Sequence, residues 1–362
     1  MPPRRKPNPA LKSDAPSQNR KGDISSLDAL FQHAGLKRSL RGKSGAINRS
    51  RIDRLERSAP EELLRPAPPA HTAANGVRFL SVPAWEKIEW LWHGFSTRQG
   101  GVSRAYCAED CPGELNLGFN DTDDRDAVVR NRTLFTEALS GDSATPLMTL
   151  RQIHSNLVRV ATGSDVARDR PWKADGVITN EPGVLIGIQT ADCIPVLVAD
   201  RKRRVVGAFH AGWRGTVKRI VQTGIGRMRL EFGSRPQDIV AAIGPGIGPC
   251  CYAIGEEVQS EFDSQFAYSR ELLHEVYSAD AVHNKYPMLF LTQRAPGHSP
   301  LGPHLHLDLI EANRRQLLDA GLLPGSIQVT GGCTNCQTDL FFSHRASRGY
   351  AGRMMAAIGI KR

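Results

Sequence analysis

The sequence lacks any apolar run of the length, about 20 residues, that a transmembrane helix needs, although 40% of its 362 residues are hydrophobic. No apolar stretch follows the basic N-terminus either, which argues against a secretory signal. These two absences predict a cytoplasmic protein without a membrane partner.

An excess of negative charge is also absent, and the positive charge is concentrated at one end. Residues 1–70 contain 15 Lys and Arg against 7 Asp and Glu, whereas the remaining 292 residues contain 32 against 30. The nearly neutral remainder does not indicate a nucleic-acid surface. We therefore predict a disordered basic N-terminal extension over 1–70, whose charge suits an anionic partner, and a folded domain over 71–362.

The sequence lacks the even number of cysteines that a disulfide framework uses. Its seven cysteines are Cys107, Cys111, Cys193, Cys250, Cys251, Cys333 and Cys336. An odd number without an export signal argues against a disulfide scaffold and favours a reducing compartment.

A second Cys-x-x-Cys motif is missing as well. A structural zinc site needs four ligands, and the single motif at 333–336 supplies two. The Cys107 and Cys111 pair is one way to complete the set. The adjacent Cys250 and Cys251 are instead interpreted as small buried residues.

Short apolar runs dominate the centre of the chain and predict strands. The predicted strands cover 77–85, 90–97, 147–154, 157–161, 176–179, 184–190, 194–199, 205–210, 239–243, 327–330 and 354–360. Several of these runs are apolar throughout, which is typical of strands covered on both faces.

Apolar residues at helical spacing predict four helices. These helices cover 124–139, 216–232, 255–266 and 308–320. Asp124 and Asp308 are the expected N-caps of the first and last. The glycines within 98–103 predict a tight loop, and the polar stretch 267–300 predicts an irregular insertion. The mixture predicts an α/β (mixed α+β) fold, a single layered domain of mixed β-sheets flanked by helices.

Three potential metal ligands each end a strand-like run, and they are His154, Cys193 and His210. Strand ends open onto loops, where functional sites collect. Two imidazoles and a thiolate suit Zn²⁺ or copper, and three protein ligands leave a fourth position for water or substrate. These residues therefore predict an enzyme with one metal ion.

The same residues permit a second chemistry, in which Cys193 is a nucleophile and His210 its base. The second histidine favours the metal site slightly, because a Cys–His pair needs only one imidazole. Both interpretations stay open from the residues alone.

Two arginines lie in settings that suit an anion. Arg98 precedes the glycines at 100 and 101, and Arg214 stands just before the predicted helix at 216–232. A guanidinium beside a helix N-terminus is a natural anion site, and phosphate is the anion that we expect. An ordinary surface arginine is the alternative at each position.

Eight sets of short motifs occur together between residues 77 and 361. They are His93-Gly-Phe-Ser-Thr-Arg-Gln-Gly-Gly-Val-Ser103, Leu115-Asn-Leu-Gly118, Gln152-Ile-His154, Ala174-Asp-Gly176, Thr190-Ala-Asp-Cys193, His210-Ala-Gly-Trp-Arg-Gly215, Ile243-Gly-Pro245 with Cys250-Cys-Tyr252, and Phe341-Phe-Ser-His-Arg345. In this order they make the chain resemble the YfiH-type proteins, a laccase-domain or polyphenol-oxidase-like family interpreted as purine nucleoside phosphorylases.

The resemblance implies a zinc enzyme, with copper also claimed for the family, whose metal ligands fall on His154, Cys193 and His210. It implies phosphorolysis of adenosine, inosine or guanosine to the base and ribose-1-phosphate. It also implies deamination of adenosine and cleavage of methylthioadenosine, and it makes 71–362 the catalytic domain. The family fold is likened to that of bacterial cysteine-hydrolase toxins.

Six further positions are predicted to contact substrate: Arg98, Asn116, Gln152, Asp175, Asp192 and Arg214. The arginines are assigned to phosphate and the two amides to the nucleoside. The carboxylates are candidates for proton transfer, or for orienting a ligand histidine.

Three other functions remain as alternatives. A copper-dependent laccase or polyphenol oxidase needs several coppers, which 11 histidines with one His-x-His pair do not favour. A metal-free Cys193–His210 hydrolase is the second alternative. The third is a non-enzymatic scaffold whose basic extension recruits a partner.

Overall fold

The computed structural model describes residue 66 and residues 69–107, 111–165, 170–276 and 304–362. Nearly all of the extension over 1–70 and most of the insertion over 267–300 lie outside these residues, so both stay predictions. Within the described part, no helix is long and apolar enough to cross a membrane.

The described residues contain strands of two to seven residues and helices of five to sixteen. The strands are β1 His71–Thr72, β2 Arg78–Leu80, β3 Leu91–Ser96, β4 Gln99–Ser103, β5 Leu147–Thr149, β6 Val158–Val160, β7 Gly176–Thr179, β8 Leu185–Thr190, β9 Ile194–Asp200, β10 Val205–Ala211, β11 Ile239–Ile243, β12 Leu273–Val276, β13 His304–Leu307, β14 Ile327–Val329 and β15 Met354–Ile360. The α-helices are α1 Arg125–Ser140, α2 Trp213–Val217, α3 Ile220–Phe232, α4 Glu256–Gln265 and α5 Leu309–Asp319.

Two six-stranded mixed sheets form the frame of the protein. The first has the order β1-β2-β3-β15-β8-β5, with β5 and β8 parallel. The second has the order β14-β11-β9-β10-β7-β6, with parallel pairs at both edges. A third, two-stranded sheet joins β12 to β13. The predicted α/β class is confirmed, whereas the likeness to cysteine-hydrolase toxins stays a prediction.

The two large sheets pack face to face around the main core. Ile188 of the first sheet lies in one apolar cluster with Leu197 and Ala208 of the second. On the outer face of the second sheet, Val196 packs in another cluster with residues of α3 and α5. Helix α1 covers the first sheet through Phe135. Burial of both faces of β9 explains its continuous apolar sequence, and each such side chain contributes about 1.5–3 kcal/mol.

The predicted N-caps of two helices are confirmed. The Asp124 carboxylate accepts a hydrogen bond from the backbone N–H of Ala127, and the Asp308 carboxylate accepts one from Glu311. The donors belong to the first turn of each helix, whose N–H groups have no partners within the helix.

Several predicted element boundaries are wrong. Residues 99–103 of the predicted tight loop form strand β4, because Gly101 lies against the backbone of Glu114 so closely that a Cβ would overlap it. The predicted helix over 216–232 is two helices, broken at Arg219, whose φ is +60°. The predicted strand over 147–154 ends at Thr149. Residues 273–276 of the predicted insertion form strand β12.

The cysteines also pair differently from the prediction. Cys107 and Cys111 form a disulfide, so they do not complete the Cys-x-x-Cys motif at 333–336. That motif lies instead against Cys250 and Cys251, which are more than 80 residues away along the chain. The interpretation of these two residues as small and buried is confirmed for Cys250, whereas Cys251 is only partly buried.

Candidate metal centre and active site

The structure brings His154, Cys193 and His210 together. One potential ligand atom from each lies within 4.8 Å of the others. The two imidazole rings are 5.0 Å apart between centroids and nearly perpendicular, at 72°. Cys193 lies in the turn that carries the chain from β8 in the first sheet to β9 in the second. The antiparallel register of β9 and β10, which pairs Pro195 with His210, places the thiol beside that imidazole.

The backbone is strained at two positions of this cluster. His154 has a φ of +56° and Asp192 a φ of +88°, in the left-handed region that non-glycine residues rarely adopt. Such a conformation costs about 1–3 kcal/mol and persists where surrounding contacts hold it. The left-handed conformation of these two residues turns the chain sharply in the loop that carries His154 and in the turn that carries Cys193.

Asp175 supplies many of the contacts that hold the His154 loop. Its carboxylate is fully buried and accepts hydrogen bonds from the backbone N–H groups of Ile153, His154 and Ser155. The Ser155 hydroxyl donates a further bond of 2.7 Å. The same carboxylate lies 2.9 Å from Nδ1 of His210. One acidic side chain therefore positions both histidines, and Nε2 of His210 is left to face Cys193.

The charges of the cluster support one another. Burial opposes the thiolate, but the positive charge of His210 and hydrogen bonds from both histidines lower the pKa of Cys193 to about 6. Burial also opposes the imidazolium, but the Cys193 charge and the Asp175 hydrogen bond raise the pKa of His210 to about 9. The site thus favours the thiolate, the form that binds metals and attacks electrophiles.

Gly212 allows the chain to pass close to the site. A Cβ at this position would lie 2.8 Å from Sγ of Cys193 and 3.4 Å from Cδ2 of His154. The residue precedes α2, with a φ of −66° that any residue can adopt. Space, and not backbone conformation, is therefore what glycine provides here.

The cluster is open on one side. His154 is exposed and Cys193 is half-buried, whereas only 4% of His210 is accessible. Two imidazole nitrogens and one thiolate sulfur are zinc donors, and a carboxylate behind one histidine is the usual support of such a ligand. The residues present therefore fit a zinc ion with an accessible fourth position.

Besides Asp175, two of the six predicted substrate contacts lie beside the cluster. Arg214 is the second residue of α2, and its guanidinium lies 4.2 Å from the centre of the Trp213 ring and 3.9 Å from Glu257. Asp192 precedes Cys193, and its carboxylate accepts 2.6 Å bonds from the Thr334 hydroxyl and the Arg345 backbone N–H. Its hydrogen bonds fix the turn that carries Cys193.

Three other predicted contacts have partners inside the protein. Gln152 exchanges two hydrogen bonds of 2.7 Å with the backbone of Gln189. Asn116 is fully buried, and its amide bonds to Gly118 and Asp123. Arg98 forms an ion pair with Glu114 and donates to the Thr338 carbonyl. These contacts show that the three side chains stabilise the fold. Their contact with substrate stays a prediction.

Tyr252 and Arg345 lie near the site, and the sequence analysis did not identify either as a functional candidate. Burial raises the pKa of Tyr252, and the negative charge of Cys193 adds to the effect. The Arg345 guanidinium lies 5.5 Å from the centre of the Tyr252 ring. Both residues belonged to motifs noted above, but only the fold places them beside Cys193.

Fold and site together define a two-sheet α/β protein with an accessible His–Cys–His donor cluster. A family model described as "Multi-copper polyphenol oxidoreductase laccase" matches residues 92–361. The chain belongs to this family.

Curated relatives that align over most of the chain bear a different activity in their names. The chain is 33% identical over 288 residues to a protein named "Purine nucleoside phosphorylase" from Bacteroides thetaiotaomicron, which covers 78% of this chain and 96% of that protein. A protein of the same name from Deinococcus radiodurans is 37% identical over 274 residues, or 75% of this chain and 89% of that one. The crystal structure of YlmD from Geobacillus stearothermophilus matches with a TM-score of 0.64 and 32% identity, over 81% of this chain and 99% of that one.

Proposed function

We propose that the protein is a zinc-dependent purine nucleoside phosphorylase that acts on adenosine, inosine and guanosine. The observation that carries the proposal is the convergence of His154, Cys193 and His210 on one accessible point, with Asp175 behind them. Relatives at 33–37% identity bear the name of this activity and align over most of the chain.

Zinc would be held by these three side chains and would supply Lewis-acid chemistry and an activated water at the open side of the cluster. Copper is the other metal that the donor set accepts. Asp175 keeps His210 in the orientation and tautomer that present Nε2, since its carboxylate occupies Nδ1.

Phosphorolysis requires phosphate to approach the ribose C1′ while the bond to the purine breaks. Arg214 and Arg345 place positive charge on the exposed side of the site, close enough to Tyr252 to affect its pKa. The Tyr252 hydroxyl, like that of an ordinary tyrosine, is protonated at neutral pH, and its raised pKa extends this form to higher pH, so it is available as a hydrogen-bond donor. We assign the arginines to phosphate and the tyrosine to the purine or the ribose.

Deamination of adenosine to inosine and phosphorolysis of methylthioadenosine are proposed as further activities of the same centre. Both substrates share the purine and the ribose of adenosine, so one pocket serves them.

The test is chromatography of the products from adenosine, with and without phosphate. Adenine with ribose-1-phosphate, or hypoxanthine with ribose-1-phosphate, formed only when phosphate is present, is the expected result. Inosine alone in both samples would reduce the function to that of a deaminase. No product from any purine nucleoside, in a preparation with a full metal complement, would contradict the proposal.

A metal-free hydrolase is a second candidate, because Cys193, His210 and Asp175 have the order of a nucleophile, its base and an orienting carboxylate. Removal of the metal by a chelator separates the two. Activity of the phosphorylase is lost and returns with zinc, whereas a hydrolase that needs only the thiolate continues to turn over.

A copper oxidase is the third candidate function, since the description of the family model names a multi-copper oxidoreductase. Oxygen consumption on a phenol, measured with the copper-loaded protein, distinguishes it from both.

A further inference from the structure

A second cysteine-rich site lies apart from the histidine cluster. Cys250 and Cys251 belong to the segment between β11 and α4, and Cys333 and Cys336 follow β14. The four Sγ atoms lie within 4.8 Å of one another. Sγ of Cys336 is 3.5 Å from that of Cys250 and 3.3 Å from that of Cys251.

We propose that these four cysteines bind a second metal ion, a structural zinc in a tetrathiolate site. This proposal does not depend on the proposed function, since it concerns different side chains.

The spacing of the sulfur atoms is suited to one ion. A tetrahedral zinc with bonds of about 2.3 Å places its sulfur ligands about 3.8 Å apart. The measured separations of 3.3 and 3.5 Å, and the upper bound of 4.8 Å, lie on either side of that value. A disulfide needs a separation of about 2.05 Å, and all four thiols are free.

The surroundings suit thiolates. The backbone N–H of Gly248 donates to Sγ of Cys333 at 3.2 Å, which stabilises a negative sulfur. Cys250 and Cys333 pack with Ile247 in a small apolar cluster of their own. Cys336 is exposed and gives an ion a route of entry. Apolar packing alone does not require four thiols to lie this close together, whereas binding of one metal ion does.

The position of the cluster supports a structural role. The chain between β14 and β15 contains no helix or strand, and it is attached to the 244–255 segment by a bridge between Gly246 and Cys333. Thr334 donates its backbone N–H to Gly246 at 3.0 Å. An ion at this point would cross-link two irregular segments that are distant in sequence.

The two segments that carry the four cysteines also contact the turn that carries Cys193. The Thr334 hydroxyl donates to the Asp192 carboxylate, and the Ile247 N–H donates to the Asp192 carbonyl at 2.8 Å. The four cysteines are therefore positioning residues, and they touch no reacting atom.

The first experiment measures metal content in the full-length protein. A variant in which His154→Ala and Cys193→Ala remove the catalytic donors is expected to keep one zinc per chain. Adding Cys251→Ser and Cys336→Ser to that variant is expected to remove it, whereas Cys107→Ser with Cys111→Ser serves as the matched control and leaves the zinc in place. The proposal is overturned if the variant without the catalytic donors holds no metal, or if the additional serines change nothing.

The second experiment does not depend on how well the serine variants fold. Cobalt replaces zinc in the variant lacking His154 and Cys193, and the expected spectrum has strong sulfur-to-cobalt charge-transfer bands with the intense visible absorption of a tetrahedral site. A weak octahedral spectrum would reject the proposal. So would mass spectrometry showing two disulfides among the four cysteines in protein isolated without reductant and with its activity intact. Absence of nucleoside turnover in the native protein, with zinc retained in the cysteine cluster, would count against the proposed function only.

Discussion

At the scale of single residues, Asp175 is the side chain on which the candidate site depends most. It is fully buried, and its carboxylate accepts bonds from the His154 loop and from the ring of His210. Burial opposes its ionisation, but hydrogen bonds from His210 and Ser155 lower its pKa to about 2. A charged acceptor is therefore present at every physiological pH.

Asp175→Asn tests this role. The amide keeps the size of the side chain but removes the charge and replaces one acceptor with a donor, so the His154 loop and the His210 tautomer are no longer held. We expect zinc affinity to fall about 10- to 100-fold, measured by competition with a chromophoric chelator. Asp263→Asn, which alters a carboxylate bonded to the Ser269 hydroxyl, is the control. Equal affinities of the Asp175 variant and the native protein would contradict the role.

His93 gives a prediction on pH and stability. Burial lowers its pKa to about 4 from an ordinary value of 6.5, and its Nε2 accepts a 3.0 Å bond from the Val82 N–H. The folded state thus keeps the ring neutral while the unfolded chain protonates it near pH 6.5. The stabilisation from this residue is complete above pH 6.5 and is lost as the pH falls toward 4.

The measurement is urea unfolding of the native protein and of His93→Gln at several pH values. Glutamine retains an acceptor for the Val82 N–H but does not titrate. The free energy of unfolding of the native protein is expected to decline relative to that of the variant between pH 6.5 and pH 4. A constant difference across that interval would show that His93 does not contribute.

At the scale of elements, the start of α2 determines whether the three donors can meet. Gly212 precedes this helix, where an added Cβ would lie 2.8 Å from Sγ of Cys193. Helix α3 provides a comparison, since a Cβ at Gly226 would meet nothing within 4 Å.

Gly212→Ala is expected to displace the thiol and to lower both metal content and nucleoside turnover at least tenfold, while the far-UV circular dichroism stays native. Gly226→Ala should leave both properties unchanged and raise stability by up to about 1 kcal/mol, because alanine favours the helix. Metal analysis, product chromatography and thermal unfolding of the two variants provide the readouts. Native metal content in the Gly212 variant would show that the site has more room than the structure indicates.

At the scale of the whole molecule, the site is made at the crossing between the two sheets. Cys193 lies where β8 of the first sheet passes to β9 of the second, and His210 lies near the end of the neighbouring β10. The family match over 92–361 contains every residue of this site. Every residue of the site lies after β1.

Removal of residues 1–65 is therefore expected to change kcat/KM on adenosine and the midpoint of thermal unfolding little, with activity within about twofold of the full chain. The truncated protein keeps β1 and every later described residue. Steady-state kinetics of both proteins provide the comparison. A larger loss of activity would show that the basic extension contributes to catalysis, a role that the sequence of the extension does not predict.

Local patterns predicted the elements whose signals lie within a few neighbouring residues. The apolar run at 354–360 predicted β15 with its full bounds, and the capping position of Asp124 predicted the start of α1. Predictions were wrong where a tertiary contact outweighs the local signal. The glycines at 100 and 101 form a strand because another segment lies against them, and Arg219 breaks a helix that its neighbours favour.

The sequence by itself indicated the chemistry available, since His154, Cys193 and His210 were predicted as potential metal ligands from their residue types and their positions at the ends of strand-like runs. It also indicated that several strands, such as β9 and β10, are covered on both faces. Only the tertiary structure decided which distant side chains meet. The assembly of Cys250, Cys251, Cys333 and Cys336 and the double role of Asp175 depend on contacts between segments far apart in the chain. Such contacts depend on the packing of whole sheets, and no local pattern of residues encodes the distance between two strand ends.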